Sequence, residues 1–106
     1  MFVAVYFWHV RPGMEEQFRA AWRRGTELIT MRYGSFGSRL HRAADGRFVG
    51  YAEWPHEAAW QVAIDAHFDY GDAENARRFR EAQVPSSERS ALIKLTVCDD
   101  LLLRAK

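Results

Sequence analysis

The sequence predicts one α+β domain of ferredoxin-like topology, and three observations lead to this prediction. An apolar β-branched and aromatic segment is followed by a helical periodicity, two strand-like segments flank an Asp45-Gly46 turn, and further helical segments precede a last apolar segment. The resulting order, β-α-β-β-α-(α)-β, is that of a four-stranded antiparallel sheet with helices on one face. At 106 residues the chain has the length of a single domain, which we place over residues 1–106.

The first strand and first helix have the clearest signals. Residues 2–10 are dense in β-branched and aromatic side chains and end at the Pro12-Gly13 turn. From Met14 the apolar residues recur at three- and four-residue steps, as in an amphipathic helix. Glutamates early and arginines late in this segment suit the helix dipole. We expect the helix to end at Tyr33-Gly34.

The next two strands are predicted over residues 35–42 and 47–54, on either side of the Asp45-Gly46 turn. With a loop of two or four residues, odd positions of the second strand lie beside even positions of the third. We expect that face to line a ligand cavity, because its small residues leave room. It holds Gly37, Arg39, His41, Phe48, Gly50, Ala52 and Trp54. The other face, with Phe36, Ser38, Leu40, Val49, Tyr51 and Glu53, is expected to pack on the helices.

The C-terminal half continues with helices and a final strand. Pro55 suits the first turn of a second helix, and His67 is predicted in the last turn of that helix. Asp72 is predicted to cap a shorter third helix. After a loop at residues 85–87, the last strand region is expected over residues 91–103.

The first strand is apolar on both of its faces. Phe2, Ala4, Tyr6, Trp8 and Val10 alternate with Val3, Val5, Phe7 and His9. Helices cover only one face of such a sheet, and monomers rarely expose large apolar patches. We therefore expect a homodimer in which a second copy covers the other face, with partial exposure of that face as the alternative.

Charge and cysteine content narrow the classes of partner and compartment. The chain has 15 Lys and Arg against 14 Asp and Glu, which gives a net charge of +1. This charge does not indicate a binding surface for nucleic acid or an anionic membrane. The lone Cys98 cannot form an internal disulfide and fits a reducing compartment, so we expect a cytoplasmic protein. The apolar stretch at residues 2–10 is short of the roughly 20 residues that span a bilayer.

The sequence has no signature of a metal or nucleotide site. No three His, Cys or carboxylate residues have ligand spacing. Neither a GxGxxG nor a P-loop pattern occurs. We therefore expect neither a metal nor an organic cofactor.

Several segments occur in the order typical of one family: HVRPG at residues 9–13, YGSFGSRL at 33–40, RFVGYAEW at 47–54, and His67-Phe68. On these the chain resembles the antibiotic biosynthesis monooxygenase family. The resemblance implies a dimeric α+β barrel and, as in some members, cofactor-free oxidation of quinol- or anthrone-like polyketides by dioxygen. Haem-degrading members carry an Asn on the first strand, and a Trp and a His on and after the second helix. In this chain Tyr6 stands at the Asn position and the Trp position falls near Ala63, which argues against haem degradation.

A phenolic substrate needs a proton acceptor, a cationic partner for its anion and flat apolar walls. We predict His41 as the acceptor and Arg39 as the partner. The remaining substrate contacts are predicted to be Tyr6, Trp8, Trp54 and His67. Four of these residues have a structural alternative: a strand-edge histidine for His41, an interface ion pair for Arg39, a core role for Trp54 and a helix cap for His67.

The sequence thus favours a cofactor-independent monooxygenase acting on a small aromatic or polyketide-like substrate. Two alternatives remain open. One is a dimer of the same fold that binds an aromatic ligand without catalysis. The other is an isomerase, decarboxylase or cyclase of this fold, in which a single His or Tyr transfers protons.

Overall fold

The computed structural model describes residues 1–85 and 92–103. They form strands β1 (Phe2–Trp8), β2 (Gly37–Arg42), β3 (Phe48–Trp54) and β4 (Leu92–Thr96), and helices α1 (Glu15–Tyr33), α2 (Glu57–Asp65) and α3 (Ala73–Glu81). The strands pair antiparallel in the order β2-β3-β1-β4. This confirms the predicted ferredoxin-like α+β fold.

Helix α1 begins and ends where the sequence predicts. The Glu15 carboxylate accepts a hydrogen bond of 2.6 Å from the amide of Gly13, which fixes the entry of the chain into the first turn. At the other end Gly34 adopts the left-handed conformation, φ 75°, and its amide donates to the Thr30 carbonyl. A left-handed glycine is the common helix terminator because it has no Cβ to clash.

The β2–β3 hairpin differs from the prediction. Its loop has three residues, 44–46, because the amide of Ala43 donates to the carbonyl of Arg47 over 2.8 Å. Gly46 closes the loop with a φ of 92°, the left-handed position that a three-residue hairpin loop requires.

The odd loop length shifts the register by one residue. Ser38 pairs with Ala52 and Leu40 with Gly50, so even positions of both strands share a face. The prediction that odd positions of β2 share a face with even positions of β3 is therefore wrong, because side chains alternate with a period of two. Ser38 and Leu40 lie on the helix-packed face as predicted, whereas Val49, Tyr51 and Glu53, which the sequence predicts on that face, lie on the opposite one. Arg39 and His41 lie on the face opposite to that of Trp54.

The helices pack on the face that carries Phe2, Ala4, Tyr6 and Trp8 of β1. Phe2, Ala4, Ala52 and Trp54 are buried there against Trp60 and Ala63 of α2. The opposite face, called the outer face below, carries Val3, Val5, Phe7, Arg39, His41, Val49, Tyr51, Glu53, Ile93 and Leu95. Ile93 and Leu95 are 45% and 44% exposed. Strand β1 thus has apolar side chains on both faces, as its alternation predicts.

Helix α2 is shorter than predicted. The His56 side chain caps it by accepting from the amide of Ala59, and the helix ends at Asp65. The prediction of His67 in the last helical turn is therefore wrong, since His67 lies beyond the helix end. Asp72 caps α3 as predicted, through a hydrogen bond from the amide of Asn75 to its carboxylate.

Strand β4 occupies only the first part of the predicted region 91–103. Residue 91, and residues 86–87 of the predicted loop, lie outside the described residues. Within the described ranges no helix is both long and apolar enough to cross a membrane. No group of three or more His, Cys, Asp or Glu in these ranges could hold a metal ion.

Trp8 lies across β3 at Gly50. A Cβ built on Gly50 would stand 2.7 Å from the Cζ3 and Cη2 atoms of the indole, a distance that side chains do not tolerate. Tyr6 stacks beside the same indole with 5.8 Å between ring centroids and 19° between planes. Gly50 therefore makes room for an aromatic pair on the helix-facing side of the sheet.

We expect Gly50→Ala to destabilise the protein by about 1–3 kcal/mol, because the added methyl group overpacks the site of the Trp8 indole. Denaturant unfolding followed by circular dichroism measures the change. Adding Trp8→Phe to the same variant should restore much of the loss. An unchanged midpoint for Gly50→Ala would contradict the placement of Trp8.

Candidate active site

A cavity of about 320 Å³ lies between the helix-facing side of the sheet and the helices. This volume is at the lower end of the range for small-molecule sites. Aromatic side chains dominate its walls: Tyr6, Trp8, Trp22, Trp54, Phe68, Tyr70 and Phe79. Its polar lining residues are Thr26, Ser35, Ser38, His67 and Arg80.

Two buried clusters hold these walls in place. The first contains Trp54 and Trp60, and Tyr6 packs against it. The second is built on Phe18, and Trp8 packs against that one. The stacked pair of Tyr6 and Trp8 therefore joins the two clusters and forms one continuous wall of the cavity.

The Tyr6 hydroxyl is held by an indole. Trp60 Nε1 donates to the Tyr6 oxygen over 2.7 Å, and Trp60 itself is only 4% exposed. A phenol can both accept and donate, and among the described residues no acceptor takes the Tyr6 proton. The hydroxyl is therefore a hydrogen-bond donor available to a ligand in the cavity.

Burial keeps this donor neutral. It raises the pKa of Tyr6 above its ordinary value of 10.0, and the hydrogen bond from Trp60 opposes that rise to a smaller extent. Desolvation disfavours the charged form of an acid, which is the phenolate here. Tyr6 thus carries its proton throughout the physiological pH range.

His67 and Phe68 follow α2 in a strained turn. Their φ angles are 52° and 51°, the left-handed region that residues with a side chain rarely adopt. The turn is closed by hydrogen bonds from their amides to the carbonyls of Ile64 and Ala63, at 2.9 and 2.8 Å. The turn brings both side chains to the cavity: Phe68 sets its ring edge-on to Tyr6, and the exposed His67 lies at the opening to solvent.

Arg39 and His41 lie elsewhere. They line a second cleft of about 520 Å³, between α1 and the edge strand β2. Arg39 Nε donates to His41 Nε2 over 3.0 Å, so the lone pair that a base would use is already engaged. The prediction that this pair shares the cavity with Tyr6, Trp8 and Trp54 is wrong, because the three-residue loop places the odd positions of β2 on the opposite face of the sheet.

The structure does bring together the other predicted contacts. Tyr6, Trp8, Trp54 and His67 all line the one cavity. Trp54 is also core, since it is 2% exposed, and no acceptor for its Nε1 proton occurs among the described residues. An unpaired buried N–H of this kind costs roughly 1–3 kcal/mol.

Sequence reasoning missed Trp60 and Ser38. Trp60 stands three residues before Ala63 on the inner stripe of α2, so the helical period contains the signal. The inner face of α2 thus carries an indole near Ala63, and the argument against haem degradation rests on Tyr6 alone. The position of Ser38 on the cavity side follows from the odd number of residues in the hairpin loop. The sequence signal for that loop is Ala44-Asp45-Gly46, which has the Gly typical of the last position of a three-residue loop.

A sequence model described as antibiotic biosynthesis monooxygenase matches residues 1–82. SnoaB from Streptomyces nogalater, a cofactor-independent oxygenase, has a TM-score of 0.71 at 19% identity over 94% of this chain and 95% of that chain. Rv0793 from Mycobacterium tuberculosis has a TM-score of 0.66 at 16% identity over 94% and 97%. A conserved protein from Methanosarcina mazei Go1 has a TM-score of 0.65 at 14% identity, covering 89% of each chain. Curated protein sequences give no significant match.

We expect His67→Gly to leave the protein at least as stable as the wild type, because glycine adopts the left-handed conformation without the roughly 1–2 kcal/mol that a side chain costs there. Thermal unfolding measures this. The matched control is Ala20→Gly at an exposed position of α1, which should cost about 1 kcal/mol. Equal losses in the two variants would show that the turn is not strained.

Proposed function

The chain belongs to the antibiotic biosynthesis monooxygenase family, and we propose that it is a cofactor-independent monooxygenase acting on a small aromatic, polyketide-like substrate. The observation that carries the proposal is the Tyr6 hydroxyl, which accepts a hydrogen bond from Trp60 and whose own proton has no acceptor among the described residues, in a cavity walled mainly by aromatic rings. The shared fold of SnoaB, a cofactor-independent oxygenase, supports the same reading.

The proposed reaction converts an activated methylene group between aromatic rings into a carbonyl group. Loss of a C–H proton leaves a resonance-stabilised anion, which transfers electrons to dioxygen and forms a C–O bond. Elimination of water then completes the carbonyl, so one oxygen atom ends in the product and one in water. The substrate supplies all four electrons, and no external reductant is required.

The cavity residues have distinct roles in this scheme. Tyr6 donates its hydrogen bond to the substrate oxygen, where negative charge develops when the proton leaves. His67 at the opening accepts the substrate proton and passes it to solvent. Trp8 and Trp54 form apolar walls that exclude water. We assign proton acceptance to His67 and not to His41 as the sequence predicts, because His41 and Arg39 line the neighbouring cleft.

We propose that the functional unit is a homodimer in which a second copy covers the outer face. Val5, Phe7, Ile93 and Leu95 give this face an apolar centre. Two such sheets packed face to face remove both apolar surfaces from water. The cytoplasmic location stays a prediction from the single cysteine, Cys98.

Dioxygen uptake tests the activity, using the purified protein with a panel of anthrones and quinols and no added metal or flavin. We expect Tyr6→Phe to lower kcat by about 10²-fold, because it removes one donor to the developing oxyanion. Quenching of tryptophan fluorescence by the ligand should persist, and Tyr51→Phe on the outer face is the matched control. Because burial raises the pKa of Tyr6 above 10.0, the rate should show no loss from Tyr6 ionisation below pH 10.

Two outcomes would overturn the activity. Tight quenching by a panel member without oxygen uptake would identify a binding protein. Product formation under anaerobic conditions would identify an isomerase, decarboxylase or cyclase.

We expect light scattering at micromolar concentration to give twice the mass of the 12.3 kDa chain. Ile93→Glu on the outer face should give a monomer, because a charge cannot be buried unpaired between two apolar sheets. Val62→Glu, at a 61% exposed position of α2, should remain a dimer. A monomeric wild type would contradict the dimer.

A further inference from the structure

The cleft that holds Arg39 and His41 is strongly basic. Arg19 and Arg23 lie one turn apart on α1, with Trp22 on the same side of the helix, and Arg39 and Arg42 come from the edge strand β2. All four arginines are exposed. One helix and one strand thus bring four arginine side chains to a single cleft of about 520 Å³.

This positive charge is not neutralised within the described part of the chain. The ion pairs found there engage other arginines, Arg24, Arg47 and Arg77. The cleft has one carboxylate, that of Glu15, and the Gly13 amide donates to both of its oxygens over 2.6 and 3.1 Å. Four arginines against one glutamate give the lining a formal charge of +3, whereas the whole chain carries +1.

The cleft and the cavity are neighbours. Trp22 and Ser38 line both of them, so an indole and a hydroxyl stand at the boundary. On one side the walls are aromatic; on the other, Arg42 stacks over Phe48 at 4.7 Å and leaves its charge at the surface. An occupant that spans this boundary would place rings on one side and negative charge on the other.

We propose that the substrate is an aromatic carboxylic acid, whose ring system occupies the cavity and whose carboxylate binds in the basic cleft. The inference rests on the proposed function, because it assumes that rings bind in the cavity. Guanidinium groups suit a carboxylate because two parallel N–H donors match its two oxygens. Arg19 and Arg23 are the principal contacts, since they lie on the helix-facing side and outside the proposed dimer interface.

Two probes of the same ring system separate the cleft from the cavity: anthraquinone-2-carboxylate and its neutral carboxamide. Quenching of tryptophan fluorescence measures the affinity of each for the 106-residue protein. We expect the wild type to bind the acid at least tenfold more tightly at low salt, and the difference to shrink at high salt because the contact is solvent-exposed. In the double variant R19Q/R23Q the acid should lose about tenfold in affinity, while the carboxamide is unchanged.

The matched control is Arg24→Gln, which removes a charge next to Arg23 but from an arginine paired with Asp72. It should leave the preference for the acid intact. Equal binding of the two probes by the wild type would overturn the carboxylate site and leave the cavity proposal standing. An equal loss in the control variant would overturn it too, since net charge alone would then explain the preference. If neither probe binds, the carboxylate site is overturned, and the oxygen uptake measured with the anthrone and quinol panel decides the proposed function separately.

Discussion

The site depends on a close approach between the indole of Trp8 and the backbone of β3 at Gly50. The indole of Trp8 occupies the space that a side chain at Gly50 would need. That placement lets Tyr6 stack in parallel beside it, and Tyr6 in turn meets the Trp60 N–H. The neighbouring strand β3 accommodates the indole because it has no side chain at Gly50.

Regular periodicity made most of the fold predictable. The alternation in β1 and the helical spacing in α1 are long, local signals, and both elements lie where the sequence places them. The site was harder to predict, because it depends on two local departures from regularity. One is a hairpin loop with an odd number of residues, and the other is the turn at His67, where two residues with side chains adopt a conformation that favours glycine. Neither propensity nor period anticipates such a turn.

The arrangement also separates two kinds of environment. In the cavity few groups ionise and the surroundings are apolar, so the Tyr6 phenol stays neutral and its hydrogen bond is strong. In the cleft the arginines remain in contact with water, which spares the protein the cost of burying their charge. Trp22 stands at the boundary between the two environments. Helix α1 and strand β2 thus contribute side chains both to a dry compartment and to a charged one.

The three-residue hairpin loop has a consequence for how such proteins diverge. The length of the loop at residues 44–46 determines which side chains of β2 face the cavity. Inserting or deleting one residue there would therefore exchange the two faces of the strand in a single step. Arg39 and His41 would turn towards the cavity, and Ser38 and Leu40 would turn away. The insertion or deletion of one codon would therefore make the lining of an apolar pocket basic, although every residue of the strand stays the same. The residues of such a strand then record its ancestry, whereas the length of the adjoining loop determines which of them face the pocket.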